Sequence, residues 1–317
     1  MATTATATST RIRRDPYLDA ERRLWDSYGV EPTERFLDLD SPAVRLRVLE
    51  VGSGEPVLLV HGTVGPGSWP SLIHRLPEFR WIVLERPGWG LSSSVDFSAQ
   101  EYKTIVADVL GGALDALGLE RAHVVGGSIG NVWALRLAAR DPSRVGRVVL
   151  LGGGPIVAGV GVPRVIRLLA SPAGAVMVRL PDKAARVRSI LRQSGHGPSL
   201  DAGRIPQEFV DWRVALGRET ASMRHEREMV RAIVRGNSYR AGVTFADAEV
   251  AAIERPTLHV YGTSDPVGSV EIWKRVANVL PRGELHVVDG AGHMPWFDDP
   301  LVLAAEVGAF LRTSDAR

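Results

Sequence analysis

The ten residues Ala122-His123-Val124-Val125-Gly126-Gly127-Ser128-Ile129-Gly130-Asn131 constrain this chain more than any other stretch. Val124 and Val125 are β-branched residues in a short apolar run, which predicts a buried strand. The run stops at two glycines. Helical spacing then begins around Gly130, with Ile129, Val132, Trp133 and Leu137 as its apolar positions. Gly126-x-Ser128-x-Gly130 predicts a strand-to-helix turn so tight that the residues flanking the serine must be nearly bare. Such a turn lifts the Ser128 hydroxyl above the sheet edge, at a helix N-terminus whose free N–H groups favour developing negative charge. By itself the pattern is weak, because a glycine-rich turn without chemistry reads the same way. The rest of the chain has to decide.

At 317 residues the chain is long enough for two domains, or for one α/β core that carries an insertion. Its 45% hydrophobic and 23% charged residues suit a globular protein with a large core. The absence of cysteine removes disulfides, thiol nucleophiles and thiolate metal sites together. The formal charge is only +2, arginine greatly outnumbers lysine, and no nucleic-acid motif accompanies it, so no nucleic-acid partner is expected. Residues 1–14 are Ala/Thr-rich without the apolar centre of a signal peptide, and predict a disordered tail. The longest uncharged run, Val148 to Pro163, is shorter than the ~20 residues of a membrane span and is broken by Gly152, Gly153, Gly154 and Pro155. The expectation is a cytoplasmic protein, monomeric or homodimeric, without membrane contact.

Taken in order, Asp15 to Tyr28 has the spacing of a capped helix. Arg35 to Leu39 and Val44 to Val51 alternate apolar and polar, as a hairpin at a sheet edge should. Val57–Val60 and Trp81–Leu84 are continuously apolar, and Val145–Leu151 and Thr257–Tyr261 nearly so, which predicts strands covered on both faces. Helical patterns lie between and after them, at Tyr102–Leu117, Ile129–Arg140, Val270–Val279 and Leu301–Arg312. Strand alternating with helix predicts an α/β fold with a parallel sheet and helices on both faces. From Pro155 to Glu254 no buried strand is evident. Helix-like pieces at Asp182–Ser194, Pro206–Leu216 and Ala221–Val234, separated by prolines, predict a helical cap over residues 155–254. Residues 15–154 and 255–317 then form the core.

Three further motifs fall where a serine nucleophile would need them. His61-Gly62-Thr63 directly follows an apolar strand, and its loop is placed to supply one N–H for an oxyanion from Thr63, with Ile129 supplying the other. His61 itself reads as a loop brace. Asp265 follows the strand that ends at Tyr261, where an acid could orient a histidine. His293, between Gly290-Ala-Gly292 and Met294-Pro295, follows a strand at Glu284–Val288. Each is ambiguous alone, since turns often hold Asp and loops often hold His. The order Ser128, Asp265, His293, each just after a parallel strand, is the one expected of a Ser-Asp-His triad on such a sheet.

With these residues the chain resembles the α/β-hydrolase superfamily, specifically its cap-bearing serine hydrolases. The resemblance also covers Glu85-Arg-Pro-Gly-Trp-Gly-Leu-Ser92 and Gly290-Ala-Gly-His293-Met-Pro-Trp-Phe-Asp-Asp-Pro300. It implies a mostly parallel eight-stranded sheet with an inserted helical cap. Glu85 stands where the family more often has Asp, a departure expected to be without functional consequence. Ser128 argues against relatives that use an aspartate nucleophile. The implied reaction is acyl transfer on a small ester, lactone or thioester through an acyl-enzyme, with Ser128 as nucleophile, His293 as base and Asp265 as its orienter. Alternatives on the same residues are perhydrolase (haloperoxidase-like) chemistry or C–C bond hydrolysis, and more remotely a ligand-binding protein without turnover.

Trp69, Met177, Phe209, Trp212 and Met294 are the candidate substrate contacts, in a largely apolar pocket. Arg186, Arg188 and Arg213 read as solvated helix faces, although they could instead recruit an anion. His74, His123, His225 and His286 lack metal-like spacing, and no metal or cofactor is expected. Asp289 reads as a strand end, and Asp298 and Asp299 as the start of the last helix. Gly152-Gly-Gly154 lacks the phosphate-loop context.

Overall fold

The computed structural model describes residues 14–97 and 101–313, with the side chains of residues 14 and 15 excepted. The expected tail over 1–14 therefore lies outside the described residues, save Arg14, which opens the first helix, Arg14–Asp26.

Eight strands form one sheet: β1 Thr33–Asp40, β2 Ala43–Val51, β3 Glu55–Val60, β4 Phe79–Leu84, β5 Ala122–Gly127, β6 Val145–Leu151, β9 Thr257–Gly262 and β10 Gly283–Val288. Two-residue strands β7 Val234–Arg235 and β8 Ser238–Tyr239 make a separate hairpin. The sheet order is β1-β2-β4-β3-β5-β6-β9-β10. Pairing is parallel from β4 through β10, and the β1–β2 hairpin adds an antiparallel edge.

The central strands are mostly apolar because both faces are covered, with His123, Arg147, Thr257 and His259 as buried polar exceptions. All seven residues of β6 are buried. Successive side chains point to opposite faces, so each strand divides between two cores. Leu58, Val60, Ile82, Leu84, Val124 and Val148 pack under helices Tyr102–Ala116 and Ile129–Arg140. Val57, Leu59, Trp81, Val83, Val125 and Val149 pack with helices Arg14–Asp26 and Pro300–Arg312. The edge strand β1 keeps the alternating pattern and stays half exposed.

Glu85 has a structural reason to be longer than aspartate. It follows β4 and accepts from Tyr17 Oη at 2.9 Å and from Arg47 Nη1 at 2.8 Å, while Leu91 N donates to its other oxygen at 2.8 Å. Arg47 also pairs with Glu21 at 2.6 Å. This buried cluster ties the first helix to β2 and to the loop after β4. Burial, helped by neighbouring Glu21 and opposed by Arg47, pushes the Glu85 carboxyl up to about 7.

Between β6 and β9 the chain runs through helices Arg164–Ala170, Pro172–Met177, Ala184–Leu191, Gly197–Asp201, Gln207–Glu219, Ser222–Ile233 and Asp247–Ala251. The helix expected over Asp182–Ser194 is shorter. It starts past Pro181 and gives way to a π turn, Arg192–His196, in which Gly195 takes φ 91°. Three of the short helices, Arg164–Ala170, Pro172–Met177 and Gly197–Asp201, were not legible in the sequence. Each begins at or next to a proline, which suits a first helical turn but shortens the periodic signal to a few residues.

This insertion packs on loops at the C-terminal ends of the strands. Ser222 Oγ accepts from Gly90 N at 2.9 Å, and Glu226 accepts from both Arg86 Nη2 and Trp89 Nε1 at 2.9 Å. Trp212 covers Gly65 and Gly67, in the loop after β3. The Arg86–Glu226 pair is 1% exposed on both sides and fixes the insertion to the core.

Candidate active site

Ser128 sits between β5 and the helix Ile129–Arg140 with φ 56° and ψ −120°. Among the described residues it is the one non-glycine with positive φ. Such a conformation costs on the order of 1–3 kcal/mol and persists only where the surroundings enforce it. The enforcement is visible on both sides. A methyl group at Gly126 would stand 2.6 Å from the Gly130 carbonyl oxygen, and one at Gly130 would stand 2.0 Å from that of Val60. Bare residues at these positions let strand and helix close on the serine.

The loop after β3 meets the same turn. The Gly62 position lies so close that a methyl there would be 2.6 Å from Ser128 Cβ and 3.3 Å from its Oγ. Ile129 opens its helix, where an N–H has no intrahelical acceptor. Thr63, whose N–H is the other donor expected for an oxyanion, is the next residue in the loop after Gly62. His61 is buried and braces this loop: its Nδ1–H donates to Gly62 O at 2.8 Å, and Arg86 N donates to its Nε2 at 3.1 Å. Burial, with the Arg86 charge beside it, drives the His61 pKa well down, so the ring stays neutral. Arg86 Nη2 donates to the Gly62 carbonyl at 3.3 Å.

Asp265 and His293 meet above β9 and β10. His293 Nδ1–H faces both carboxylate oxygens of Asp265 at 2.9 Å. Gly153 N and Val267 N donate to the same carboxylate at 2.6 Å and 2.8 Å. Burial works to raise the pKa of Asp265, but the facing His293 and these donors outweigh it and hold the carboxyl below its usual value. Burial works to lower that of His293, and the Asp265 charge and hydrogen bond outweigh it, so the imidazole is raised above 6.5. Nδ1–H bound to a carboxylate leaves Nε2 as the basic nitrogen, which is the tautomer a general base needs.

The sequence reading missed the segment that joins these two halves. Ser128 N donates to Leu151 O at 3.0 Å, and Asn131 Nδ2 donates to Gly152 O at 2.9 Å. Gly152 runs directly under His293, where a methyl would come within 1.7 Å of the His293 carbonyl oxygen. Gly153 then reaches Asp265. The run Gly152–Gly154 thus belongs to the site as a bare floor. Its available signal was a glycine triplet at the C-terminal end of a strand that is apolar but for Arg147.

The expected substrate contacts do not form one wall. Trp69, Phe209, Trp212 and Met294 are fully buried in the core on the Val57–Trp81 side of the sheet, with Trp69 stacked on Trp296 at 5.0 Å and Phe209 tilted on Trp212 at 5.7 Å. Met177 is partly buried against the other core, apart from them. Asp289 is exposed and accepts from Thr263 Oγ1 at 3.0 Å, away from His293. Of the residues read as the start of the last helix, Asp299 caps it by accepting from Val302 N, whereas Asp298 turns to the His293 loop and accepts from Gly292 N at 2.7 Å. Arg186 and Arg188 are on half-exposed or exposed faces, but Arg213 is not solvated: its side chain is 11% exposed and stands 3.4 Å from Asp182. Among the described residues no acidic or histidine cluster suited to a metal ion is present, and no helix is long and apolar enough to cross a membrane.

Comparison with known proteins agrees with this architecture. The family profile described as alpha/beta hydrolase fold matches residues 55–300. The chain is 30% identical to a 2-hydroxymuconate semialdehyde hydrolase of Pseudomonas sp. strain CF600, over 88% of this chain and 94% of that protein. It is 29% identical to a 2-hydroxy-6-oxononadienedioate/2-hydroxy-6-oxononatrienedioate hydrolase of Burkholderia vietnamiensis, over 82% and 89%. Among solved structures, the carboxylesterase CesB of Bacillus subtilis superposes with a TM-score of 0.73 at 19% identity, covering 94% of this chain and 98% of that one, a likeness of fold. The strand order, the strained serine between β5 and its helix, and a profile match spanning most of the sheet and the insertion place this chain in the alpha/beta hydrolase fold family, as a hydrolase.

Proposed function

We propose that this chain hydrolyses the carbon–carbon bond beside the 6-oxo carbonyl, aldehyde or ketone, of a substrate of the 2-hydroxy-6-oxo-dienoate class, through Ser128, His293 and Asp265. The observation that carries the reading is the 30% identity to a 2-hydroxymuconate semialdehyde hydrolase along nearly the whole of both chains. It favours the C–C alternative over the ester cleavage that the motifs alone suggest, and the carboxylesterase likeness speaks only for the fold.

The residues suit the chemistry. When the 2-hydroxyl proton of such a dienol moves to the carbon next to the 6-oxo carbonyl, the bond between that carbon and the carbonyl becomes breakable, because its electrons can flow into the 2-oxo acid. His293 Nε2 takes the Ser128 proton as the hydroxyl adds to the carbonyl carbon. The N–H groups of Ile129 and Thr63 hold the oxyanion. Collapse breaks the C–C bond and its electron pair moves through the conjugated chain onto the 2-oxo oxygen; the dienolate so formed takes up the proton carried by the His293 imidazolium, which Asp265 stabilises. Water, activated by His293, then attacks the acyl group on Ser128 and releases a carboxylic acid. One water is consumed, and no redox step occurs. The insertion acts as the cap over the reacting atoms.

The test compares kcat/KM for a 2-hydroxy-6-oxo-dienoate, followed by loss of its conjugated absorbance, with that for a nitrophenyl ester of equal size. The reading expects the dienoate to be preferred by at least about 10²-fold, a ratio that requires differential transition-state binding rather than general reactivity. Preference for the ester would overturn it.

A further inference from the structure

The insertion reaches into the loops that carry Asp265 and His293. Its π turn, Arg192–His196, follows directly on the helix Ala184–Leu191. The Ser194 carbonyl accepts from the backbone N–H of His293 at 2.8 Å. At Gly195 a methyl group would stand 2.5 Å from the Ser264 carbonyl oxygen and 2.8 Å from the Gly292 α-carbon. The turn is therefore wedged between the two loops that hold the candidate acid and base.

His196 closes the turn and is fully buried. Met294 N donates to its Nε2 at 3.0 Å, so that nitrogen carries no proton. The proton of the neutral ring then sits on Nδ1, 2.8 Å from Asp298 Oδ2, at an angle short of a straight hydrogen bond. Asp298 also accepts from Gly292 N at 2.7 Å and from the Ser199 hydroxyl. The N–H groups of Gly292, His293 and Met294 are thus all bound to Asp298, Ser194 and His196, and two of those three acceptors belong to the insertion.

We propose that His196 is a positioning residue for His293: it delivers, from the insertion, a neutral imidazole that fixes the backbone beside the candidate base. Docking of the insertion and assembly of the triad are then one event, because the outer His196–Asp298 pair holds the loop on which the inner His293–Asp265 pair works. Ala at 196 would strand the Met294 N–H. Gln keeps an acceptor for it and an N–H for Asp298.

This rests on the reading of Ser128 and His293 as nucleophile and base, so the experiment includes a readout independent of the natural substrate. His196→Ala and His196→Gln are compared by the rate of Ser128 phosphonylation with a fluorophosphonate and by kcat per titrated site. His196→Ala is expected to slow both by about 10²-fold, the scale of an ångström-level misplacement of a catalytic group, with KM within about twofold of the parent. His196→Gln is expected to recover most of the loss. Parental rates per titrated site in His196→Ala, a change confined to KM, or equal loss in both variants would overturn the proposal. Should His196→Ala fail to fold, Asp298→Ala replaces it under the same criteria, since His196 Nδ1 and Gly292 N face one and the same carboxylate oxygen, Oδ2, which alanine lacks. Failure of the parent protein to cleave a dienoate while it is phosphonylated normally would remove only the substrate reading.

Discussion

Gly153 N donates to Asp265 Oδ2 at 2.6 Å and so ties the loop after β6 to the acid carried after β9. That bond helps explain how a carboxylate with no exposed surface stays ionised: donors from Gly153, Val267 and His293 surround it. It also explains why the position is glycine. Gly153 has φ 54°, and a methyl there would stand 3.3 Å from His293 Cε1 and from Val267 Cγ1.

Gly153→Ala is therefore expected to disturb Asp265 and His293 together. Strain at a positive φ, plus crowding against the imidazole, should lower kcat/KM by about 10-fold to 10²-fold. Steady-state kinetics on folded protein checks this, and kcat/KM equal to the parent's would show that the floor of the site tolerates a side chain.

The acid is assigned by comparing two aspartates. Asp265→Asn should reduce kcat by about 10⁴-fold, since an amide facing Nδ1 favours the wrong histidine tautomer. Asp289→Asn should leave kcat nearly unchanged, because Asp289 is bound to the Thr263 hydroxyl at the surface. The reverse ranking would move the acid to Asp289.

The pH profile follows from the raised His293 pKa. The base works when neutral, so kcat/KM should rise with pH through a midpoint above 6.5. In Asp265→Asn the supporting charge is gone and the midpoint should fall. The stability linkage has the opposite sense. A folded pKa raised above the unfolded value contributes stability that is present below the unfolded pKa and lost as pH rises through the folded one. Measured kcat/KM between pH 5 and 9 decides, and a midpoint below 6.5 in the parent would contradict the Asp265 contact.

Much of this site was legible in the sequence because strand ends in a parallel sheet carry it. Gly126-x-Ser128-x-Gly130, His61-Gly62-Thr63, Asp265 and His293 each follow a run of apolar residues whose meaning is local, and β6 and the helix Ile129–Arg140 match their expected bounds. What stayed hidden depends on contacts distant in sequence. His196 and Asp298 are 102 positions apart and meet only because the π turn folds back over the last strands, and a π turn has no periodic signature. Gly152–Gly154 looked like a loop because the clashes that demand glycine come from His293 and Trp273, more than a hundred positions away. Trp69 and Trp212 read as pocket residues because apolar side chains suit a pocket and a core equally. Both are fully buried, Trp69 against Gly127 of the serine turn and Trp212 against Gly65 and Gly67 of the loop after β3.

The core–insertion pair Arg86–Glu226 should matter for stability. Removing one partner of a buried pair leaves an uncompensated charge, so Glu226→Ala is expected to cost about 3–5 kcal/mol. Trp89 Nε1 loses its acceptor in the same variant. Urea unfolding measures the loss, and a shift below about 1 kcal/mol would show that the pair is dispensable, as solvated pairs often are.

The most direct measurement is turnover of a 2-hydroxy-6-oxo-dienoate by Ser128→Ala, alongside the parent and with its fold checked by circular dichroism. Triad members act as a unit, and loss of the nucleophile typically costs about 10⁶-fold in kcat. The account predicts a folded variant with dienoate cleavage reduced on that scale and no fluorophosphonate adduct on the peptide that contains residue 128. Cleavage within about tenfold of the parent would contradict it, because a triad without its nucleophile cannot retain that rate.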